Sequence, residues 1–89
     1  MPHPLPKVDT DLLRLLRDGN VTAFGKIYET FAPVLYRRLL RLLKDTDTVE
    51  EILQDTFLKL WEKRAHIDPE QAFTTYLYRI ADHLAINVF

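Results

Sequence analysis

The residues best suited to proton transfer or metal ligation are the three histidines, His3, His66 and His83, and their placement argues against both roles. They fall in an N-terminal stretch, an expected loop and an expected helix. None has a histidine partner at the i, i+3 or i+4 spacing that makes a zinc-binding helix face. Glu50 and Glu51 are adjacent, so on a helix their carboxylates diverge by about 100°. They suit a solvated first turn at the positive end of a helix dipole better than a cooperating acid–base pair. The chain has no serine and no cysteine, and its two glycines form no phosphate-cradling loop. No catalytic residue, metal site or cofactor is expected, and the sequence reads as that of a protein that works by binding.

Three patterns bear on what it binds. Arg37, Arg38, Arg41 and Lys44 form a basic run with no acid among them, and Asp45, Asp47, Glu50, Glu51 and Asp55 follow with no base. Dipole complementarity at the end of one helix and the start of the next accounts for this order better than a binding role does. Leu58 lies opposite the apolar stripe of its helix, among Glu51, Gln54, Asp55 and Glu62, where it is either a stray exposed leucine or the centre of a polar-rimmed interface for a basic partner. Tyr78, Arg79, Asp82, His83, Ile86 and Asn87 share the outer face of the last helix or its margins. An aromatic beside an arginine suits unpaired bases and phosphate, although an ordinary amphipathic helix has the same mixture.

The elements that must position these residues are helical. With 89 residues, 47% of them hydrophobic, the chain can build one core, and its formal net charge of −1 gives it no overall attraction to nucleic acid or acidic membranes. Residues 1–8 hold three prolines and no apolar run, so they are expected to be a disordered tail rather than a signal peptide or membrane anchor, and residues 9–89 to be one all-α domain, a compact bundle of four helices. The first helix is expected over about 11–18, capped by Asp9 or Thr10, buried through Leu12, Leu13, Leu15 and Leu16, and stopped by Gly19. Asn20 caps the second, which reaches about Leu43 on the stripe Phe24, Ile27, Tyr28, Phe31, Leu35, Leu39 and Leu42, with a kink expected from Pro33 near Glu29.

The third helix starts within Asp45-Thr-Asp-Thr48, through a capping box of Thr48 with Glu51 or Asp47 with Glu50, and ends near Lys63. Its stripe is Val49, Ile52, Leu53, Thr56, Phe57, Leu60 and Trp61. Asp68-Pro69-Glu70-Gln71 reads as the start of a fourth helix running to the chain end with Phe73, Tyr76, Leu77, Ile80, Ala81, Leu84 and Val88 inward.

Taken in order, Asp-Thr-Val-Glu-Glu-Ile-Leu-Gln-Asp-Thr-Phe-Leu-Lys-Leu-Trp at 47–61 and Ala-Phe-Thr-Thr-Tyr-Leu-Tyr-Arg-Ile-Ala-Asp-His-Leu-Ala-Ile-Asn at 72–87 resemble region 2 of bacterial RNA polymerase sigma factors of the extracytoplasmic-function group. Asp18-Gly19-Asn20, then Ala23-Phe24 and Ile27-Tyr28, resemble the opening of that domain, so the likeness covers residues 9–89. It implies that the third and fourth helices carry the function. Docking of the third helix on the coiled-coil clamp helices of the polymerase β′ subunit would fall to Glu50, Glu51, Gln54, Asp55, Leu58 and Trp61. Recognition and melting of the promoter minus-ten element, with a base flipped from the non-template strand, would fall to the loop 65–71, including His66, Ile67 and Asp68, and to Tyr78, Arg79, His83 and Asn87. The resemblance further implies a cytoplasmic, non-enzymatic protein with no membrane partner, restrained by an anti-sigma factor.

The chain departs from the family pattern at three places. His83 stands where many members carry asparagine, with Asp82 beside it, and Tyr76 stands where tryptophan is common. The chain also ends inside the apolar run Ile86-Asn-Val-Phe89, ahead of the family's second DNA-binding domain, and so looks truncated. The competing reading is a helical interaction module whose acidic third helix docks a basic protein and whose fourth helix is only structural.

Overall fold

The computed structural model describes residues 8–88. The expected tail up to Lys7, with His3, and the terminal Phe89 lie outside the described residues, while Val8 is half-buried against the core. Among the described residues the chain forms four α-helices, α1 (Thr10–Arg17), α2 (Val21–Leu43), α3 (Thr46–Glu62) and α4 (Phe73–Ile86), with a single 3-10 turn at Arg64–His66.

Local chemistry sets most boundaries. Asp9 is the N-cap of α1, its carboxylate accepting from the Asp11 amide at 2.8 Å. Gly19, at φ +89°, takes the left-handed position after the helix, and the Gly19 and Asn20 amides close onto the Leu16 and Leu15 carbonyls at 2.9 Å each. The Asn20 side chain then caps α2 by accepting from the Ala23 amide at 2.9 Å. α2 continues through Pro33, whose ring faces solvent, and ends at Lys44, a non-glycine residue at φ 58°.

The core is one cluster. α2 contributes Ala23, Ile27, Phe31, Leu35 and Leu39, at a regular four-residue spacing. α3 contributes Val49, Ile52, Leu53, Phe57, Leu60 and the fully buried Thr56, whose hydroxyl is satisfied by the Ile52 carbonyl at 2.7 Å. α4 adds Phe73, Leu77, Ala81 and Ala85, and α1 adds Leu13 and Leu16. Phe24 packs on Phe57 and Trp61, so α2 and α3 run antiparallel. Phe31 packs on Phe73 and Arg38 on Asp82, so α4 runs parallel to α2.

The structure corrects several expectations. Leu15 of α1 and Leu42 of α2 are about half exposed, and Tyr28 is exposed as well, because helices packed on one side bury a narrower arc than their apolar residues span. Neither capping box forms on α3: Asp45 is the N-cap, and its carboxylate takes the Thr48 hydroxyl instead of a backbone amide. Asp68-Pro69 does not open α4. Asp68 accepts from the Glu70 amide through its carboxylate and from the Gln71 amide through its carbonyl, both at 3.0 Å, closing a separate turn. Ile67 and Pro69 are buried on either side of Asp68, so the turn is anchored in the core, and the helix starts at Phe73 with Ala72 as an N-cap that offers no side chain. At the other end α4 stops at Ile86, which leaves Val88 exposed in a final turn instead of inward.

Candidate functional site

The outer face of α3 is available along its length. Glu50, Glu51, Gln54, Asp55 and Leu58 are exposed, and among the described residues Glu50, Glu51 and Asp55 have no cationic partner. Leu58, 57% exposed, sits on the rim of an apolar groove of about 450 Å³ between α2 and α3. Val21, Phe24 and Tyr28 form one wall of the groove, and Gln54, Phe57, Leu58 and Trp61 the other.

Its aromatic lining is ordered. Phe24 stands edge-on to Phe57 at 6.3 Å and to Trp61 at 5.2 Å, and Tyr28 tilts against Phe57 at 4.7 Å. Trp61 is half-buried and serves both the domain and its surface. Arg64 stacks over its indole at 4.2 Å and donates to its carbonyl at 2.9 Å, tying the 3-10 turn to the end of α3. The sequence places Phe24 and Tyr28 on the core stripe of the second helix and not on a groove wall. The available signal is their position one turn apart at the start of the second helix.

The residues assigned to the loop and α4 divide into three places. His66, Ile67 and Asp68 line a small cavity of about 190 Å³ together with Gln71, Ala72, Phe73 and Tyr76. Here His66 and Asp68 are exposed, while Ile67 is a core residue at 6% exposure. Arg79, His83 and Asn87 line a larger groove of about 530 Å³, with Tyr76, Ile80 and Leu84 of α4, Lys59 of α3 and Lys63, the residue that caps its C-terminal end. Tyr76 borders both hollows, and its half-buried position raises its phenol pKa through desolvation.

Lys59 and Lys63 were not singled out in the sequence, although two cations one turn apart at the end of a helix that opens with acids are a legible sign. Tyr78 lies elsewhere, half-buried on the α2 side of α4, with the Arg38 guanidinium 4.7 Å over its ring. Arg38 also forks onto the Asp82 carboxylate at 2.9 and 2.6 Å, a hydrogen-bonded pairing that raises the Arg38 pKa against the effect of burial.

Chemically, the arrangement offers an acidic, apolar-centred docking face on α3. A basic groove and a small cavity share Tyr76 as a common wall. No helix among the described residues is long and apolar enough to cross a membrane.

The all-α domain carries one acidic and one basic surface, and comparison with known proteins shows the family it belongs to. Residues 27–89 match the family model described as Sigma-70 region 2, and the chain belongs to that family. Similar proteins include the ECF RNA polymerase sigma factor SigW of Bacillus subtilis, 28% identical over 75 residues, a match covering 84% of this chain and 40% of that protein. The SigK sigma factor of a Mycobacterium species (strain KMS) is 35% identical over 72 residues, covering 78% of this chain and 37% of its own. That of Mycolicibacterium vanbaalenii is 33% identical over 86 residues, covering 94% and 44%. The chain thus spans about two fifths of the length of the curated relatives it matches.

Proposed function

We propose that this domain acts in transcription initiation in the cytoplasm, docking core RNA polymerase through α3 and holding the melted non-template strand of the promoter minus-ten element with the loop before α4 and the basic groove beside it. The observation that carries the docking half is the set of unpaired carboxylates Glu50, Glu51 and Asp55 around Leu58 and the apolar groove. A basic clamp helix presenting one apolar side chain would meet both charge and shape complementarity there.

The DNA half is supported by Lys59, Lys63, Arg79 and His83 gathered in one groove beside the His66–Asp68 cavity. Such a groove suits a single strand whose phosphates lie along cations while one unstacked base enters a recess. Flipping a base costs a few kcal/mol, about what a domain with a near-neutral net charge must obtain from the polymerase it docks on. Weak binding of the isolated domain to single-stranded DNA therefore belongs to this reading. So does restraint by an anti-sigma factor, which the resemblance in the sequence implies.

The test is binding of the chain to a purified fragment carrying the β′ clamp helices, wild type beside Asp55→Arg. Tight wild-type binding that the substitution removes, with the helical spectrum unchanged, is the expected result. A folded wild-type domain that does not bind would sink the proposal.

A further inference from the structure

Arg38 is the member of the 37–44 basic run that is turned toward another helix. Arg37, Arg41 and Lys44 are exposed and have no acidic partner among the described residues. Arg38 instead reaches 44 positions along the chain to Asp82, with Nε on Oδ1 at 2.9 Å and Nη2 on Oδ2 at 2.6 Å, while its plane covers Tyr78 at 4.7 Å. The fork fixes distance and angle together, which a single-point contact does not.

α4 depends on such a contact because it begins without a side-chain cap, and its other aromatic tie to α2 is Phe31 against Phe73 at 5.5 Å. Phe31 and Arg38 are about 10 Å apart along α2, and Phe73 and Asp82 about 14 Å apart along α4, so the two ties set both the slide and the rotation of one helix on the other. Arg79 and His83 each follow a braced residue by one position, about 100° round the helix, on the face that lines the basic groove.

We propose that Arg38, Asp82 and the Tyr78 ring form a brace that aims the groove face of α4 at the strand, with Arg38 and Asp82 as positioning residues that do not themselves touch DNA. The inference rests on the DNA-binding reading above. It differs from the view that Asp82 is merely a negative charge near DNA, because the two views predict opposite signs. Removing a repulsive charge tightens binding, whereas loosening a brace weakens it.

The experiment measures binding of the complete chain, assembled with core polymerase, to a fluorescent single-stranded oligonucleotide carrying the non-template minus-ten sequence. Asp82→Asn and Arg38→Gln are each expected to weaken binding about tenfold, with the double variant no worse than either single one. The exchanged pair Arg38→Glu with Asp82→Arg is expected to recover most of the loss, and core-polymerase affinity to stay level throughout. Binding by Asp82→Asn that is equal to or tighter than wild type, while Arg79→Ala weakens it, overturns the brace and leaves the DNA reading standing. An Arg79→Ala variant that also binds normally removes the DNA reading, and the brace as a positioning device goes with it.

Discussion

Phe24 meets Trp61 edge-on across the seam between α2 and α3, ring centroids 5.2 Å apart and planes at 70°, with Arg64 lying 4.2 Å over the same indole. An edge-to-face pair adds about 0.5–1.5 kcal/mol beyond the area it buries. Trp61 is thereby fixed, and the groove it walls presents a preformed apolar surface, so a side chain docking there would lose little ordering entropy.

Leu58 and Leu60 should separate docking from folding. Leu60 is fully buried, so Leu60→Ala is expected to lower unfolding free energy by about 2–5 kcal/mol in urea titrations. Leu58 is 57% exposed, and Leu58→Ala should change stability by less than about 0.5 kcal/mol while weakening binding to the β′ clamp fragment by about 1–2 kcal/mol. A Leu58→Ala domain that binds as tightly as wild type would remove the groove rim from the interface.

The two glycines should respond with opposite signs to alanine. Gly19 holds φ +89°, a conformation alanine enters at a cost of about 1–2 kcal/mol, and Gly19→Ala should lower the melting temperature. Gly25 lies inside α2 with open space where a Cβ would stand, so Gly25→Ala should stabilise the domain by about 0.4–1 kcal/mol. Thermal and urea unfolding of the two variants, side by side, checks both signs.

Asp45 provides a pH prediction. The Thr48 hydroxyl bonded to its carboxylate holds the Asp45 pKa below its ordinary value of 3.8. A carboxylate depressed in the folded state contributes stability that is present above its unfolded pKa and disappears as pH falls through the folded one, so this small term belongs to the acid limb below about pH 4. Carboxyl-carbon NMR titration should find Asp45 titrating below the ordinary aspartate value of 3.8, and Thr48→Val should raise it toward that value.

The sequence carried the helices well where apolar spacing and caps agreed. Asn20 caps α2 and Gly19 ends α1 as their chemistry requires, and the α3 stripe is buried residue for residue up to Trp61. It misled where a strong local signal met a tertiary demand. Asp68-Pro69-Glu70 has every mark of a helix start, but burial of Ile67 and Pro69 beside it uses the capping carboxylate to close a turn, and α4 begins at Phe73 with no cap. Tyr78 and Arg79 are neighbours in sequence and read as one functional pair. They lie about 100° apart on the helix, and Arg38, 40 positions upstream of Tyr78, decides that one faces α2 and the other the groove. No spacing rule within a single helix carries that information.

Lys59 and Lys63 test whether the groove follows a phosphate backbone or only borders it. Lys59 lies on, and Lys63 caps, the helix whose other face is assigned to polymerase, so a loss of function on substitution needs a readout that separates the two roles, and salt dependence supplies one. Each phosphate neutralised on single-stranded DNA contributes about 0.7 to the slope of log K against log salt. Lys59→Gln with Lys63→Gln should therefore flatten the slope for strand binding by the polymerase-bound chain by about 1.4, and leave polymerase affinity near wild type. Arg37→Gln with Arg41→Gln removes the same charge from exposed α2 positions outside the groove and should leave the slope unchanged. Equal flattening by the two pairs would mean that the strand responds to overall charge and not to the groove.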